Sequence, residues 1–186
     1  AKPFLENGVP IYIDKPLAFT LKKAKNIIAF QRYEGQIFSC SALRYAKELQ
    51  LNEKQKKKIG KIQSIHAFVP KDWDKYSVHA IEPLIGIIPN RGPIIESKKL
   101  SNRYQSILNV KFKKNIVVSI FSSGQSHTPI NIRVIGTNGW LDLSAKDMFQ
   151  CFKSALNDFN SSIIYKKSKI SIKETLEIDK LIELGR

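Results

Sequence analysis

The chain has 186 residues, 42% of them apolar and 25% charged, which suits one globular domain with a fragment of a second attached. No apolar stretch approaches the roughly 20 residues of a membrane-spanning helix, and the N-terminus lacks the basic-then-apolar layout of a signal peptide, so the expectation is a cytoplasmic protein without a membrane partner. The formal net charge of +15 would suit a nucleic-acid partner. The densest basic run, Lys54-Gln55-Lys56-Lys57-Lys58-Ile59-Gly60-Lys61, nevertheless carries no aromatic residue on which a base could stack, and no helix-turn-helix, zinc-finger or RNP pattern accompanies it. It reads as a solvated helix face, with no nucleic acid bound. Cys40 and Cys151 lie far apart, outside any zinc or redox spacing, and are expected to be reduced core residues; no metal site is expected.

In chain order, residues 1–8 resemble a helix end stopped at Gly8, and Val9 to Ile13 form a short buried-strand run ending near Asp14. Thr20 is placed to cap a helix whose apolar positions are Leu21, Ala24, Ile27 and Ile28. A strand follows over Gln36 to Ala42, then a charged helix over Ala46 to Lys58 and a strand over Lys61 to Val69. Ser77 is in position to cap a helix carrying Val78, Ile81, Leu84, Ile85 and Ile88 on one face, with Pro83 expected to bend it. Alternating runs at 108–112, 116–120, 130–134 and 140–143, joined by turns at Lys113-Lys114-Asn115 and Thr137-Asn138-Gly139, predict an antiparallel meander. Two helices close the chain. The first presents Met148, Phe149, Phe152, Ala155, Leu156 and Phe159 as a core-facing stripe; the second opens on Ser171 and Glu174 at capping-box spacing.

The chemistry begins where the first strand delivers Asp14 and Lys15 into a turn set by Pro16. Ligands of open α/β sheets bind beyond the carboxyl ends of strands, and Pro16 biases Lys15 toward extended backbone, so the ammonium is aimed at such a crevice. On these residues alone, a surface lysine after a strand is the favoured reading. The segment Gly8-Val9-Pro10-Ile11-Tyr12-Ile13-Asp14-Lys15-Pro16 resembles the Glu-Lys-Pro signature of the glucose–fructose oxidoreductase and inositol dehydrogenase family, Gfo/Idh/MocA. Ser41-Ala42-Leu43-Arg44-Tyr45 resembles that family's entry into its second domain, Tyr76 to Leu84 its histidine-bearing helix, and Val134 to Gly139 its late hairpin.

The resemblance implies an NAD- or NADP-dependent enzyme acting on a CH–OH group of a sugar or polyol, with Lys15 and His79 beside the nicotinamide. Hydride leaves a carbinol carbon as its hydroxyl loses a proton, so one group must orient the oxygen and another accept that proton. A His79 in the first turn of a capped helix would stay neutral and able to act as a base. The resemblance further implies cofactor contacts from Asp14, Lys15 and Pro16, and substrate contacts from Arg44, Lys75, Tyr76 and Glu82.

Two departures limit the analogy. Asp14 replaces the usual Glu, and Lys75 stands where many members place Asp four residues before the histidine. No Gly-x-Gly-x-x-Gly occurs, so the phosphate-binding turn of a dinucleotide fold is missing and this chain alone is expected to bind no cofactor. The expected architecture is therefore α+β: residues 1–38 a strand-helix remnant of a Rossmann domain, and residues 39–186 an open, mostly antiparallel sheet with helices on one face, for substrate binding and oligomerisation. The uncovered face predicts a homodimer. A noncatalytic scaffold of the same fold and a basic nucleic-acid module are the alternatives.

Overall fold

The computed structural model describes all of residues 1–186. Its first elements are α1 (Lys2–Glu6), β1 (Ile11–Tyr12), α2 (Leu21–Ile28) and β2 (Ile37–Phe38). The two strands pair in parallel, and the Thr20 hydroxyl accepts a hydrogen bond from the Lys23 amide, capping α2 as its position predicts. The strand expected to run to Ala42 stops at Phe38. From Ser41 the chain turns into a 3₁₀ turn over Ala42–Tyr45, with the Ser41 hydroxyl accepting from the Leu43 amide. The charged helix is also shorter than predicted: a second 3₁₀ turn fills Lys47–Leu49, and α3 (Glu53–Ile59) starts only where Asn52 and Gln55 form a reciprocal capping box.

The body then runs β3 (Ile62–Val69), α4 (Trp73–Tyr76), α5 (Val78–Ile87), β4 (Ile94–Ser101), β5 (Ser106–Phe112), β6 (Ile116–Ser122), β7 (Asn131–Gly136), β8 (Gly139–Leu143), α6 (Met148–Tyr165) and α7 (Ile172–Gly185). Six strands form one sheet in the order β4-β5-β6-β3-β7-β8, parallel between β3 and β6 and antiparallel elsewhere. This is the predicted α+β class with a mostly antiparallel sheet, but the four alternating runs do not form one meander: β5 pairs with β6 and β7 with β8, while β3 lies between β6 and β7. The sheet's covered face supplies Ile65, Ala67, Leu108, Val110, Phe112, Val118, Ile120, Ile132 and Val134, packed against Ile81, Leu84 and Ile85 of α5 and Leu181 and Ile182 of α7. Both cysteines are free and buried.

Three expectations change. β4 carries no apolar alternation, because almost every residue of this edge strand faces solvent, so pattern reading missed it. Ser77 does not cap α5: Asp72 caps the helical turn just before, accepting from the Lys75 amide, so the backbone is already helical at Ser77. Its hydroxyl ends up buried without a partner. The expected core stripe of α6 is mostly outward: Met148, Phe149, Phe152 and Leu156 are exposed, while Cys151, Ala155, Asp158 and Ser162 are buried.

Candidate functional site

Beyond the end of β1 the chain passes through Asp14 and Lys15 into Pro16, and the Lys15–Pro16 peptide bond is cis. The ammonium of Lys15 donates to the backbone carbonyl of Lys75 at 3.3 Å, which ties it to the last turn of α4 and brings it beside His79 at the start of α5. Lys75 contributes this carbonyl while its side chain stays exposed. Tyr76 turns its ring edgewise to the His79 imidazole, centroid to centroid 5.8 Å.

His79 is held from another element altogether. Its Nδ1 lies 2.8 Å from the Ser41 hydroxyl, in the stretch that follows β2. Burial, and after it the positive charge of Lys15, lowers the imidazole from 6.5 to about 4 against a weaker opposing pull from Asp14, so the ring is neutral at physiological pH. The neutrality expected from a helix terminus is present, but desolvation rather than a Ser77 cap produces it.

Ser41 is anchored in turn. Its amide donates to Glu82 Oε1 at 2.7 Å, the other Glu82 oxygen accepts from Arg44 Nε at 2.7 Å, and Arg44 Nη2 reaches Glu174 at 2.5 Å. Burial, opposed by Arg44, pushes the Glu82 carboxyl up to about 7. Glu174 therefore spends its side chain on Arg44, and only the Ser171 half of the predicted capping box forms, through the Glu174 amide. Of the residues singled out in the sequence, Asp14, Lys15, Tyr76 and His79 come together at one place. Arg44 and Glu82 bond to each other, and they also line a cavity of about 520 Å³ with Tyr45, Asp158 and Lys169 that includes neither Lys15 nor His79. Ser41 went unnoticed as a site residue; only its place in the Ser41 to Tyr45 segment marked it. No cluster of three or more His, Cys, Asp or Glu side chains is arranged to hold a metal ion.

Neither a protein-family model nor a curated protein matches the sequence. Solved structures do match the fold. Myo-inositol 2-dehydrogenase from Lactobacillus plantarum superposes with a TM-score of 0.75 at 13% identity, over 98% of this chain and 74% of that one. The chain has the fold of the Gfo/Idh/MocA oxidoreductases. Scyllo-inositol dehydrogenase from Lactobacillus casei gives 0.70 at 16% identity, over 97% and 70% of the two chains. Myo-inositol dehydrogenase from the same organism, solved with NAD(H) and myo-inositol, gives 0.68 at 15% over 95% and 66%. The six-stranded sheet and its helices correspond to the C-terminal domain of Gfo/Idh/MocA enzymes. No helix is long and apolar enough to cross a membrane.

Proposed function

We propose that this chain is the substrate-binding, C-terminal part of an NAD(P)-dependent oxidoreductase acting on a CH–OH group of a sugar, polyol or derivative. Residues 1–38 would be the last elements of its dinucleotide-binding domain, and residues 39–186 its substrate and oligomerisation domain. The observation that carries this reading is the meeting of Lys15 with a desolvated, neutral His79 from separate elements. A lysine ammonium and a neutral imidazole are two groups able to hold and polarise the oxygen of a carbinol between them. The likeness to an inositol dehydrogenase solved with NAD(H) and myo-inositol supports the substrate class.

When bound, the nicotinamide supplies the hydride acceptor. The Asp14-Lys15-Pro16 turn fits its reacting end: it offers a directed cation and a carboxylate at the carboxyl end of a parallel strand. The chain's residues include no glycine-rich turn for the pyrophosphate, so cofactor binding is proposed for the intact protein and not for this chain alone. In this reading Tyr76 borders the substrate, whereas Arg44 and Glu82 act from behind by holding Ser41.

Absorbance of NAD(P)H, followed with a panel of polyols on the full-length protein and on this chain, tests the proposal. Turnover is expected from the full-length protein only, and Lys15→Ala or His79→Ala should each lower kcat/KM by about 10²- to 10⁴-fold. Absence of cofactor binding by the full-length protein would favour the noncatalytic scaffold instead.

A further inference from the structure

We propose that Ser41 is a positioning residue that fixes the tautomer of His79: its hydroxyl donates to Nδ1, so the imidazole proton sits on Nε2 and His79 meets a substrate oxygen as a hydrogen-bond donor. This deepens the oxidoreductase reading and rests on it for the identity of that oxygen. The tautomer itself follows from hydrogen-bond accounting. A serine hydroxyl has one proton to give and two lone pairs to offer. Ser41 is fully buried, and its oxygen has two partners, the Leu43 amide at 3.2 Å and His79 Nδ1 at 2.8 Å. The amide can only donate, so it occupies a lone pair. The hydroxyl proton is left with a single acceptor, Nδ1. Were Nδ1 to carry the ring proton instead, both neighbours would donate into the serine oxygen, and its own proton would be buried with nowhere to go.

The serine cannot swing away to escape this constraint. Its amide is held by Glu82, Glu82 is gripped by Arg44, and the hydroxyl caps the 3₁₀ turn that carries Arg44. At the other end of the imidazole, Nε2 has no protein partner and is not among the sealed, unpartnered atoms of the molecule, so it reaches solvent. The lone pair by which a neutral imidazole would take up a proton is thus the one already engaged by Ser41. In this resting tautomer His79 orients and polarises an oxygen through its Nε2–H. The carboxylate expected at position 75 is not needed for this, because the Ser41 hydroxyl does the orienting from a different element.

Long-range ¹H–¹⁵N correlation spectra of the imidazoles report the tautomer directly, with His79→Gln assigning the resonance among three histidines. Between roughly pH 6 and 8, where an unperturbed histidine titrates, His79 should show a protonated Nε2 and an Nδ1 shifted from the free-acceptor position by its hydrogen bond. Ser41→Ala should return Nδ1 to that free position, and Ser41→Thr should restore the shift. An Nδ1-protonated ring in the parent, or an Nδ1 shift indifferent to Ser41→Ala, would overturn the proposal. In the full-length protein, Ser41→Ala should lower kcat about tenfold with little change in KM, and Ser41→Thr should recover it. An unchanged kcat would remove the positioning role, while a parent without turnover would sink the dehydrogenase reading and leave the tautomer to stand on the spectra.

Discussion

Asp179 of α7 is a buried carboxyl whose two oxygens make no hydrogen bond. Burial pushes it from 3.8 up to about 7, and the Ala18 amide, outside hydrogen-bond geometry but close enough to favour the anion, offsets only part of that. An acid with a raised folded-state value stays protonated in the native protein while the unfolded chain ionises above about 4. Its contribution to stability is therefore full below that pH and is lost as the pH rises toward 7. His79 has the opposite sign: its lowered value costs stability as the pH falls from 6.5 to about 4. Asp179→Asn should accordingly be more stable than the parent by about 1–3 kcal/mol at neutral pH, with the advantage shrinking toward pH 4. Urea midpoints across this range check it, and a pH-independent difference would contradict the buried-acid account. Lys15 and His79 were legible in the sequence because their neighbours form contiguous motifs. Ser41 and Asp179 were not, since what gives each its character is a meeting of elements far apart in the chain.

At the level of elements, α6 shows why periodicity finds a helix more readily than its buried side. Met148, Phe149, Phe152 and Leu156 keep helical spacing, but so do Cys151, Ala155, Asp158 and Ser162, and the second set faces inward. That side packs closely because its residues are small. The Ser162 hydroxyl donates to the Phe159 carbonyl at 2.7 Å and lies 3.2 Å from the Gly35 carbonyl, and a Cβ on Gly35, which has a φ of +84°, would stand 2.8 Å from the Ser162 carbonyl oxygen. Asp158 is buried because the Tyr45 hydroxyl donates to it at 2.6 Å and Lys169 pairs with it. Only Ala155 and Phe159 of the predicted stripe turn inward, Phe159 meeting Tyr12 and Phe38 at centroid distances of 5.5 and 5.7 Å. Phe152→Ser should therefore shift stability by no more than about 0.5 kcal/mol, whereas Ala155→Phe should cost about 1–3 kcal/mol through overpacking. Chemical denaturation of the two variants decides between the sides, and a large loss from Phe152→Ser would put the original stripe back in the core. Strands β5 to β8 were easier to read, because a half-covered sheet stamps a period of two on its sequence and only the solvent-facing β4 escapes it; their order was not, since the insertion of β3 between β6 and β7 leaves no local pattern.

For the molecule as a whole, the open face of the sheet is the natural place for a second copy. Phe68 and Phe121 meet edge to face at 5.8 Å across β3 and β6, and Phe68, Val117 and Trp140 leave 43%, 39% and 57% of their surfaces to solvent. Charge on this face is largely neutralised within it: Arg133 binds Asp142 through two hydrogen bonds of 2.7 Å and lies 4.5 Å from the Trp140 ring. Pairing through the sheet edge is disfavoured, because β4 displays Lys98 and Lys99 there. We therefore propose a face-to-face homodimer. Two chains that each carry +15 repel at long range, so salt should tighten the dimer by screening that repulsion while leaving the apolar contact intact. Sedimentation at rising ionic strength should show the parent moving toward dimer and Phe68→Asp remaining monomeric. A parent that stays monomeric at micromolar concentration would exclude this interface. Binding to a polyanion that weakens steeply with salt would instead assign the positive charge to a nucleic-acid partner, since phosphate contacts release counterions and lose affinity under the same change that strengthens an apolar dimer.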